Sequence, residues 1–212
     1  MKLYYIVGSC SLAVRIVMNE LNIQHESIRL QKKKVGNGYK VYTSEGILYE
    51  DTINKKNAVP LLVLDDGREL TEVSVILQYL ADKYNGKMIS PDNGSFERYQ
   101  VQEWLNYIAS ELHKNFTLIF YKNDYPEGSG DLFMEQAIKK ISFLNSCLNN
   151  RESLVGDFSI ADVYMFVVLS WCQYIGIDLK KYTHIVSYYN RILQRKSVIE
   201  SLEEEGLKYH LI

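Results

Sequence analysis

The stretch Leu3-Tyr4-Tyr5-Ile6-Val7-Gly8-Ser9-Cys10-Ser11 decides the fold of the first part of the chain. Its apolar, aromatic and β-branched beginning is typical of a buried strand. From Leu12 to Leu21 apolar residues recur at helical spacing, with Arg15 predicted on the opposite, polar side. The order is therefore strand, tight turn, thiol and helix, which places Cys10 at a helix N-terminus.

That position allows two interpretations of Cys10. Unpaired N–H groups and the positive end of the helix dipole stabilise an anion, so they lower the pKa of a thiol and favour a reactive thiolate. Alternatively, Cys10 is a small buried apolar residue. The stretch by itself favours neither interpretation.

Composition and cysteine usage exclude several classes of protein. A formal net charge of −2 provides no basic surface for nucleic acid. No apolar stretch reaches the ~20 residues of a membrane helix, and the first residues do not resemble a signal peptide. Three scattered cysteines, Cys10, Cys147 and Cys172, fit a reducing cytoplasm better than a disulfide framework. We therefore expect a cytoplasmic protein without a nucleic-acid or membrane partner.

Two further kinds of chemistry are disfavoured. The residue three after Cys10 is Ala13, so the C-x-x-C pair of a dithiol oxidoreductase is absent, although chemistry with one thiol stays open. The run Glu111-Leu112-His113 has no second histidine four residues after the first, so we expect no metal site.

The first part of the chain predicts a mixed α/β unit. The alternating run Glu26-Ser27-Ile28-Arg29-Leu30 indicates a second strand, parallel to the first. Residues 31–58 are hard to interpret; we expect a polar loop over 32–38 and a short helix within 39–49. A strand opening at Pro60, a hairpin turn at Asp65-Asp66-Gly67 and a helix capped by Thr71-Glu72 follow.

Strand patterns then stop, which predicts a second, all-helical domain. We place a mixed α/β domain at residues 1–84, a polar linker at 85–94 and the helical domain at 95–212. Helices are expected over 95–121, 132–148, 159–171, 182–193 and 198–205. The run Ser159-Ile160-Ala161-Asp162 resembles a capping box and opens an apolar central helix.

Three other places carry possible chemistry, each with an ordinary alternative. A cis bond at Val59-Pro60 would free backbone groups for an extended peptide, whereas most such bonds are trans. Glu72 at a helix N-terminus could hold an ammonium group or simply complement the helix dipole. Asn106 and His113 are seven residues apart and so share a helix face, with Lys114 beside them, which could form a polar patch that meets a ligand. The alternative is that Lys114 is an ordinary solvated side chain of the helix.

Taken together and in this order, these segments resemble bacterial cytosolic glutathione transferases of the beta class over nearly the whole chain. The matching segments in the first part are Met1 to Tyr5, Gly8 to Ala13, Val59-Pro60, Leu64 to Gly67, Leu70 to Glu72 and Ile76 to Asp82. Those in the helical part are Glu103 to Ala109, Glu111 to Lys114 and Ile160 to Asp162.

The resemblance implies a thioredoxin-like N-terminal domain, a C-terminal helical bundle, a homodimer, and glutathione as co-substrate without a metal. It implies catalytic roles for Cys10, which would meet the glutathione sulfur, and for His113. The glutathione-binding residues it implies are Ser9, Ser11, Lys34, Val59, Pro60, Glu72, Val73, Asn106 and Lys114.

The implied function is conjugation of glutathione to small hydrophobic electrophiles in detoxification, with peroxidase activity as an addition. The alternatives are glutathione-dependent thiol–disulfide reduction by Cys10 and a non-catalytic binding or regulatory protein. The family's Asn-Pro-x-Gly-x-Val-Pro turn is Asn54-Lys55-Lys56-Asn57-Ala58-Val59-Pro60 here, and the missing proline predicts a looser turn, while Asn57 tolerates left-handed backbone.

Overall fold

The sheet has five strands and confirms the predicted α/β beginning. The computed structural model describes residues 1–36 and 38–212. The strands are β1 (Lys2–Tyr5), β2 (Glu26–Val35), β3 (Gly38–Thr43), β4 (Leu61–Val63) and β5 (Glu69–Thr71), in the order β3-β2-β1-β4-β5. β1 and β2 are parallel, as predicted, and the other pairs are antiparallel.

The helices that accompany the sheet are α1 (Ser11–Glu20), α2 (Tyr49–Thr52) and α3 (Val73–Lys83). The turn at Asp65-Asp66-Gly67 joins β4 to β5 as predicted, with Gly67 at a φ of +83° that favours glycine. The thioredoxin-like arrangement therefore places Cys10, the Val59–Pro60 bond and the start of α3 at one end of the sheet.

The remaining chain is helical, as the loss of strand patterns predicts. Its helices are α4 (Phe96–Tyr107), α5 (Lys114–Phe120), α6 (Ser129–Cys147), α7 (Ile160–Ser170), α8 (Cys172–Ile175), α9 (Thr183–Leu193) and α10 (Lys196–Glu205). A π-helical segment, Ile108–His113, joins α4 to α5. The capping box of Ser159 and Asp162 is present at the start of α7, which is buried along its whole length.

The prediction for residues 31–58 is wrong in its details. The expected loop is mostly strand, because β2 continues to Val35 and pairs with β3 in an antiparallel hairpin. Aromatic and β-branched residues of β3, such as Tyr39 and Val41, favour strand over the helix we expected at 39–49. Asn37, inside the predicted loop, lies outside the described residues.

Arg15 is also placed differently from the prediction. It is only 3% exposed, because α10 packs against α1 and brings Glu204 and Glu205 to the guanidinium. One apolar cluster includes residues of the sheet, of α1 and of the helical part, among them Leu3, Leu12 and Val163. The division at 84 and 95 is kept as a proposal for the domain boundaries.

No helix in the described ranges, 1–36 and 38–212, is both long enough and apolar enough to cross a membrane.

Candidate active site

The loop between β1 and α1 is held from the helical part of the chain. Gly8, at a φ of +68°, donates its N–H to Glu205 Oε2 at 2.8 Å. Its carbonyl oxygen accepts a hydrogen bond from Trp171 Nε1 at 2.9 Å. Both backbone groups of one residue are therefore fixed by side chains from α10 and from the residue after α7, which determines where the following thiol lies.

The two serines on either side of Cys10 hydrogen-bond to each other. Their hydroxyl oxygens are 2.8 Å apart, and the Ser11 hydroxyl also donates to the Ile6 carbonyl at 3.2 Å. Ser11 is fully buried and its hydroxyl closes the loop, so its part in binding glutathione stays a prediction. Ser9 is partly exposed and remains at the edge of the site.

Cys10 is 7% exposed, and its thiol donates a hydrogen bond to the Val59 carbonyl at 3.3 Å. The pKa of this thiol is raised to about 12, mainly by burial and in smaller part by the negative charge of Glu72. The N–H groups of Cys10 and Ser11 oppose this shift without overcoming it. Of the two interpretations that the sequence left open, this environment favours the buried apolar thiol, because loss of hydration outweighs the local N–H donors.

The Val59–Pro60 peptide bond is cis, the less common of the two forms that the sequence allowed. The carbonyl of Ala58, just before it, accepts hydrogen bonds from the Tyr49 hydroxyl at 2.9 Å and from Asn54 Nδ2 at 3.0 Å. Tyr49 is fully buried and Asn54 is 7% exposed. These two side chains hold the turn that was expected to be loose without its proline.

The backbone conformation of Asn57 in that turn is the left-handed one that the sequence allowed for. Its φ is +50°, in the left-handed region that asparagine tolerates better than most residues. The position that is glycine in the related motif is therefore compatible with the residue found here.

Glu72 and Val73 form the N-terminus of α3 at the same end of the sheet. Glu72 is exposed and has a φ of +71°, uncommon for a residue with a side chain, and its carboxylate makes no capping hydrogen bond. Strain of this kind is typical of functional sites. The first N–H groups of α3 are thus adjacent to a carboxylate that bonds to none of the described residues, which suits a ligand group with both a carboxylate and an ammonium.

His113 lies at the end of the π-helical segment and is largely enclosed. Its Nδ1 atom is 2.6 Å from the Tyr164 hydroxyl oxygen, and its ring meets Trp171 edge to face with centroids 4.9 Å apart. The pKa of His113 is lowered to about 4, mainly by burial and in smaller part by the charge of Lys114. His113 is therefore neutral at pH 7.

The expectation that Asn106 and His113 share a helix face is wrong. A π-helical turn holds more residues than an α-helical turn, so seven residues no longer make two turns across this segment. Asn106 and Lys114 are exposed, whereas His113 turns inward. Ser74 Oγ, which donates to the Leu105 carbonyl at 3.2 Å, still keeps this part of α4 beside the start of α3.

Lys34 is exposed on β2, near the end of the hairpin and opposite Tyr39 in the strand register. Lys32, on the same face and closer to the sheet, lies beside Tyr121 of the helical part. Of these two lysines, Lys32 is the one that lines a cleft with Val59.

Sequence reasoning missed four residues of the site: Arg15, Tyr164, Trp171 and Glu205. Each acts through a contact with a residue more than 50 positions away, such as the 190 positions between Arg15 and Glu205. Tyr164 and Trp171 stand in or next to an apolar helix, where a core role is the simplest prediction. The sequence pattern places Arg15 on the polar side of α1, so it gave no signal that this residue is buried beside the site.

In the part of the chain that the structure describes, no three histidine, cysteine, aspartate or glutamate side chains are grouped closely enough to hold a metal ion.

Two family models cover most of the chain. The glutathione S-transferase N-terminal domain matches residues 3–88, and the glutathione S-transferase C-terminal domain matches residues 107–196. The glutathione S-transferase GstA of Escherichia coli O157:H7 is 38% identical over 211 residues, covering 98% of this chain and all of that protein.

Solved structures agree with this match. A bacterial beta-class glutathione S-transferase of Sphingomonas chungbukensis is 32% identical, with a TM-score of 0.87 over 98% of this chain and 100% of its own. A sphingomonad glutathione S-transferase in complex with glutathione is also 32% identical, with a TM-score of 0.85 and the same coverage. The chain belongs to the glutathione S-transferase family, whose enzymes use glutathione as co-substrate.

Proposed function

We propose that this protein conjugates glutathione to small hydrophobic electrophiles at the end of the sheet where Cys10, Val59 and Glu72 meet. The observation that carries the proposal is the Cys10 thiol 3.3 Å from the carbonyl of Val59, beside a cis bond and two helix N-termini. The Val59 N–H has no hydrogen-bond partner among the described residues, so it is available to the backbone of an extended peptide.

In this proposal the tripeptide lies across Val59. Its γ-glutamyl end meets the Glu72 carboxylate and the Val73 N–H, and its cysteinyl part pairs with the Val59 backbone before Pro60. Its sulfur lies beside Cys10 and Ser9. Sheet order supports this direction, because Glu72 follows β5 at one edge and the β2–β3 hairpin occupies the other.

Exposed side chains would complete the peptide site. Lys34 on the hairpin is proposed for the glycyl end, and Asn106 and Lys114 from the helical part for the opposite side. Ser11 contributes its backbone N–H and the loop that its hydroxyl closes.

The reaction needs an ionised glutathione sulfur, because a free thiol with a pKa near 8.5 is mostly protonated at pH 7. The N–H groups of Cys10 and Ser11 favour the charged form of the Cys10 sulfur, and in this proposal they favour a negative charge on a glutathione sulfur beside it. Lowering the pKa of the glutathione thiol by two units requires ~2.7 kcal/mol, within the range of a few charge-assisted hydrogen bonds. The thiolate then forms the new sulfur–carbon bond while the leaving group departs with its electron pair.

We propose that His113 supplies another donor to this sulfur, with Tyr164 as its positioning residue. Tyr164 is 2% exposed, and burial raises the pKa of its hydroxyl, so it keeps its proton. Among the described residues its only side-chain partner is His113 Nδ1, so the hydroxyl donates and Nδ1 accepts. His113 therefore carries its proton on Nε2, which presents a neutral N–H outside the core.

The buried and protonated state of Cys10 argues against its use as a redox thiol, the second function that the sequence left open.

A turnover assay with 1-chloro-2,4-dinitrobenzene and with a glutathione mixed disulfide separates the candidates. We expect wild type and Cys10→Ala to conjugate the electrophile, with Cys147→Ala as the control thiol variant. Loss of conjugation in Cys10→Ala alone would make Cys10 essential to conjugation. A wild-type protein that neither binds nor uses glutathione would leave only the non-catalytic alternative.

The same assay with cumene hydroperoxide tests the proposed peroxidase activity. Reduction of the peroxide at the rate of glutathione oxidation would support the peroxidase activity. Conjugation without turnover of the peroxide would show that the protein lacks that activity.

We also propose a homodimer formed through α3 and α4, in a cytoplasmic protein. Val75 on α3 and Phe96 and Tyr99 on α4 are 46%, 72% and 59% exposed, which is unusual for neighbouring large apolar side chains. Three free cysteines support the cytoplasmic location. Light scattering should give twice the chain mass for wild type and the single mass for Tyr99→Lys; a monomeric wild type would contradict the dimer.

A further inference from the structure

A cleft opens between the β2–β3 hairpin, the Val59 turn and the helical part of the chain. Its volume is about 400 Å³, within the size range of small-molecule sites. Most of its walls are apolar or aromatic, supplied by Ile6, Tyr39, Val41, Val59 and Tyr121, and Asp124 is its acidic residue. The cleft shares Val59 with the proposed glutathione site, so a molecule in it would lie next to the tripeptide.

Lys32 brings a positive charge into this cleft. Its ammonium nitrogen lies 4.6 Å from the ring centre of Tyr39 and 4.3 Å from that of Tyr121, and it donates a hydrogen bond to the Tyr121 hydroxyl. Aromatic faces attract a cation without neutralising it. Over residues 1–36 and 38–212, Lys32 forms no ion pair, not even with Asp124 of the same cleft. Two of its three N–H donors are left for a ligand.

The neighbouring lysines are engaged elsewhere. Lys33 points to the other face of the hairpin, over the Tyr42 ring at 5.3 Å. Lys40 forms an ion pair with Glu50, and Lys56 donates to the Thr71 hydroxyl. Strand register thus separates Lys32 from Lys33. Lys34 shares the face of Lys32 but lies farther along the hairpin and does not line the cleft.

We propose that this cleft binds the second substrate and that Lys32 selects electrophiles with a carboxylate on an aromatic or apolar body. The assignment rests on the proposed function. The ammonium recognises the carboxylate, while the rings of Tyr39 and Tyr121 and the apolar walls bury the body. A glycyl carboxylate of glutathione offers the same charge, but it is small and polar and would leave the apolar walls without a partner.

The reaction expected with such a substrate is an aromatic substitution. In 4-chloro-3,5-dinitrobenzoate the glutathione thiolate attacks the carbon that carries chlorine, and the sulfur–carbon bond forms. The carbon–chlorine bond breaks, chloride leaves with its electron pair, and the thiol proton goes to water. The carboxylate on the far side of the ring takes no part in these steps, so it reports binding alone.

The test compares this acid with its methyl ester at saturating glutathione, each rate divided by the uncatalysed rate. We expect wild type to prefer the acid in kcat/KM, and Lys32→Gln to reduce that preference about tenfold, the loss of one charge-assisted contact. Lys33→Gln is the matched control, since it removes the adjacent charge from the opposite face, and it should leave the preference unchanged.

Two results would overturn the assignment of Lys32. One is an equal preference in wild type and Lys32→Gln. The other is a raised KM for glutathione in Lys32→Gln with the preference unchanged, which would place the tripeptide's own glycyl carboxylate at Lys32. A wild type that conjugates neither compound, nor 1-chloro-2,4-dinitrobenzene, would refute the proposed function and this assignment with it.

Discussion

The Glu205 carboxylate accepts a hydrogen bond from the Gly8 N–H at 2.8 Å, although 197 positions separate the two residues in the chain. Its other oxygen accepts from Arg15 Nε at 3.1 Å. The Glu205 side chain is fully buried, and this burial raises its pKa. One carboxylate of α10 thereby connects the loop before Cys10 with the helix after it.

Replacing that carboxylate should affect both stability and activity. Breaking a buried ion pair on one side leaves its partner uncompensated, so Glu205→Gln should cost about 3 kcal/mol of unfolding free energy. The loop before Cys10 should also lose its fixed position, which lowers kcat/KM. Urea unfolding and the conjugation assay measure these effects. Glu203→Gln, an exposed change on the same helix, is the control and should alter neither; equal stability of both variants would contradict the role of Glu205.

The reactivity of Cys10 should be low. Its pKa of about 12 leaves it almost entirely protonated at pH 7.5, so iodoacetamide should label the less buried Cys147 first. Labelling of Cys10 should keep accelerating above pH 10, where an ordinary thiol has levelled off. Peptide mass spectrometry after timed labelling gives both rates, and the chain unfolded in guanidinium should show the two thiols equally reactive. Faster labelling of Cys10 than of Cys147 at pH 7.5 would contradict the pKa direction.

Stability should depend on pH through His113. Its folded-state pKa is about 4, below the ordinary 6.5, so between these values the unfolded chain binds more protons. The contribution is therefore fully present above pH 6.5 and lost as the pH falls towards 4, by about 3 kcal/mol at most. Unfolding free energies of wild type and His113→Asn over this interval measure it. The variant should show the shallower slope; identical slopes would mean that His113 is hydrated in the folded protein.

The Tyr164 hydroxyl should matter through His113 alone. Tyr164→Phe keeps the ring but frees Nδ1, so the imidazole loses its fixed tautomer, and we expect kcat to fall about tenfold with little change in the KM for glutathione. The double variant with His113→Ala should be no worse than His113→Ala alone, because the two residues act as one unit. Additive losses would instead indicate a separate role for Tyr164, and circular dichroism checks that the fold is kept.

The turn before Pro60 should depend on Asn54. Asn54→Ala removes one donor from the Ala58 carbonyl and the acceptor of the Lys56 N–H, which should cost about 1–2 kcal/mol. The displaced Val59 backbone should raise the KM for glutathione about fivefold with kcat unchanged, because the lost contact stabilises the bound substrate and the transition state equally. Asn57→Gly is the control, since glycine accepts the φ of +50° there. An unaltered KM in Asn54→Ala would show that Tyr49 holds the turn alone.

The sequence was sufficient for features set by local chemistry. A strand followed by glycine, serine and a helical pattern predicts β1, the loop and α1, and Asp65-Asp66-Gly67 predicts its own turn. The capping box at Ser159 needs only four consecutive residues. These elements were found where they were expected, because the interactions that form them lie within a few residues.

Other features depend on partners distant in the chain, which explains the wrong predictions. Arg15 is charged, and only the position of α10 shows that two carboxylates meet it inside the protein. The pKa of Cys10 is raised because the thiol is buried, whereas its position at a helix N-terminus alone would predict a lowered pKa. The π-helical segment before His113 has no pattern in the residues that would distinguish it from α-helix, and it changes which face His113 occupies.

The two long-range hydrogen bonds to the Gly8 backbone have a consequence for synthesis on the ribosome. The β1–α1 loop emerges first, yet both side chains that fix Gly8, Trp171 and Glu205, are translated more than 160 positions later. A nascent chain whose last helix is still inside the exit tunnel therefore carries the thiol loop without its supports. The geometry of the proposed glutathione site is completed only when α10 has left the ribosome and docked, so we expect partial products of translation to lack the proposed conjugation activity.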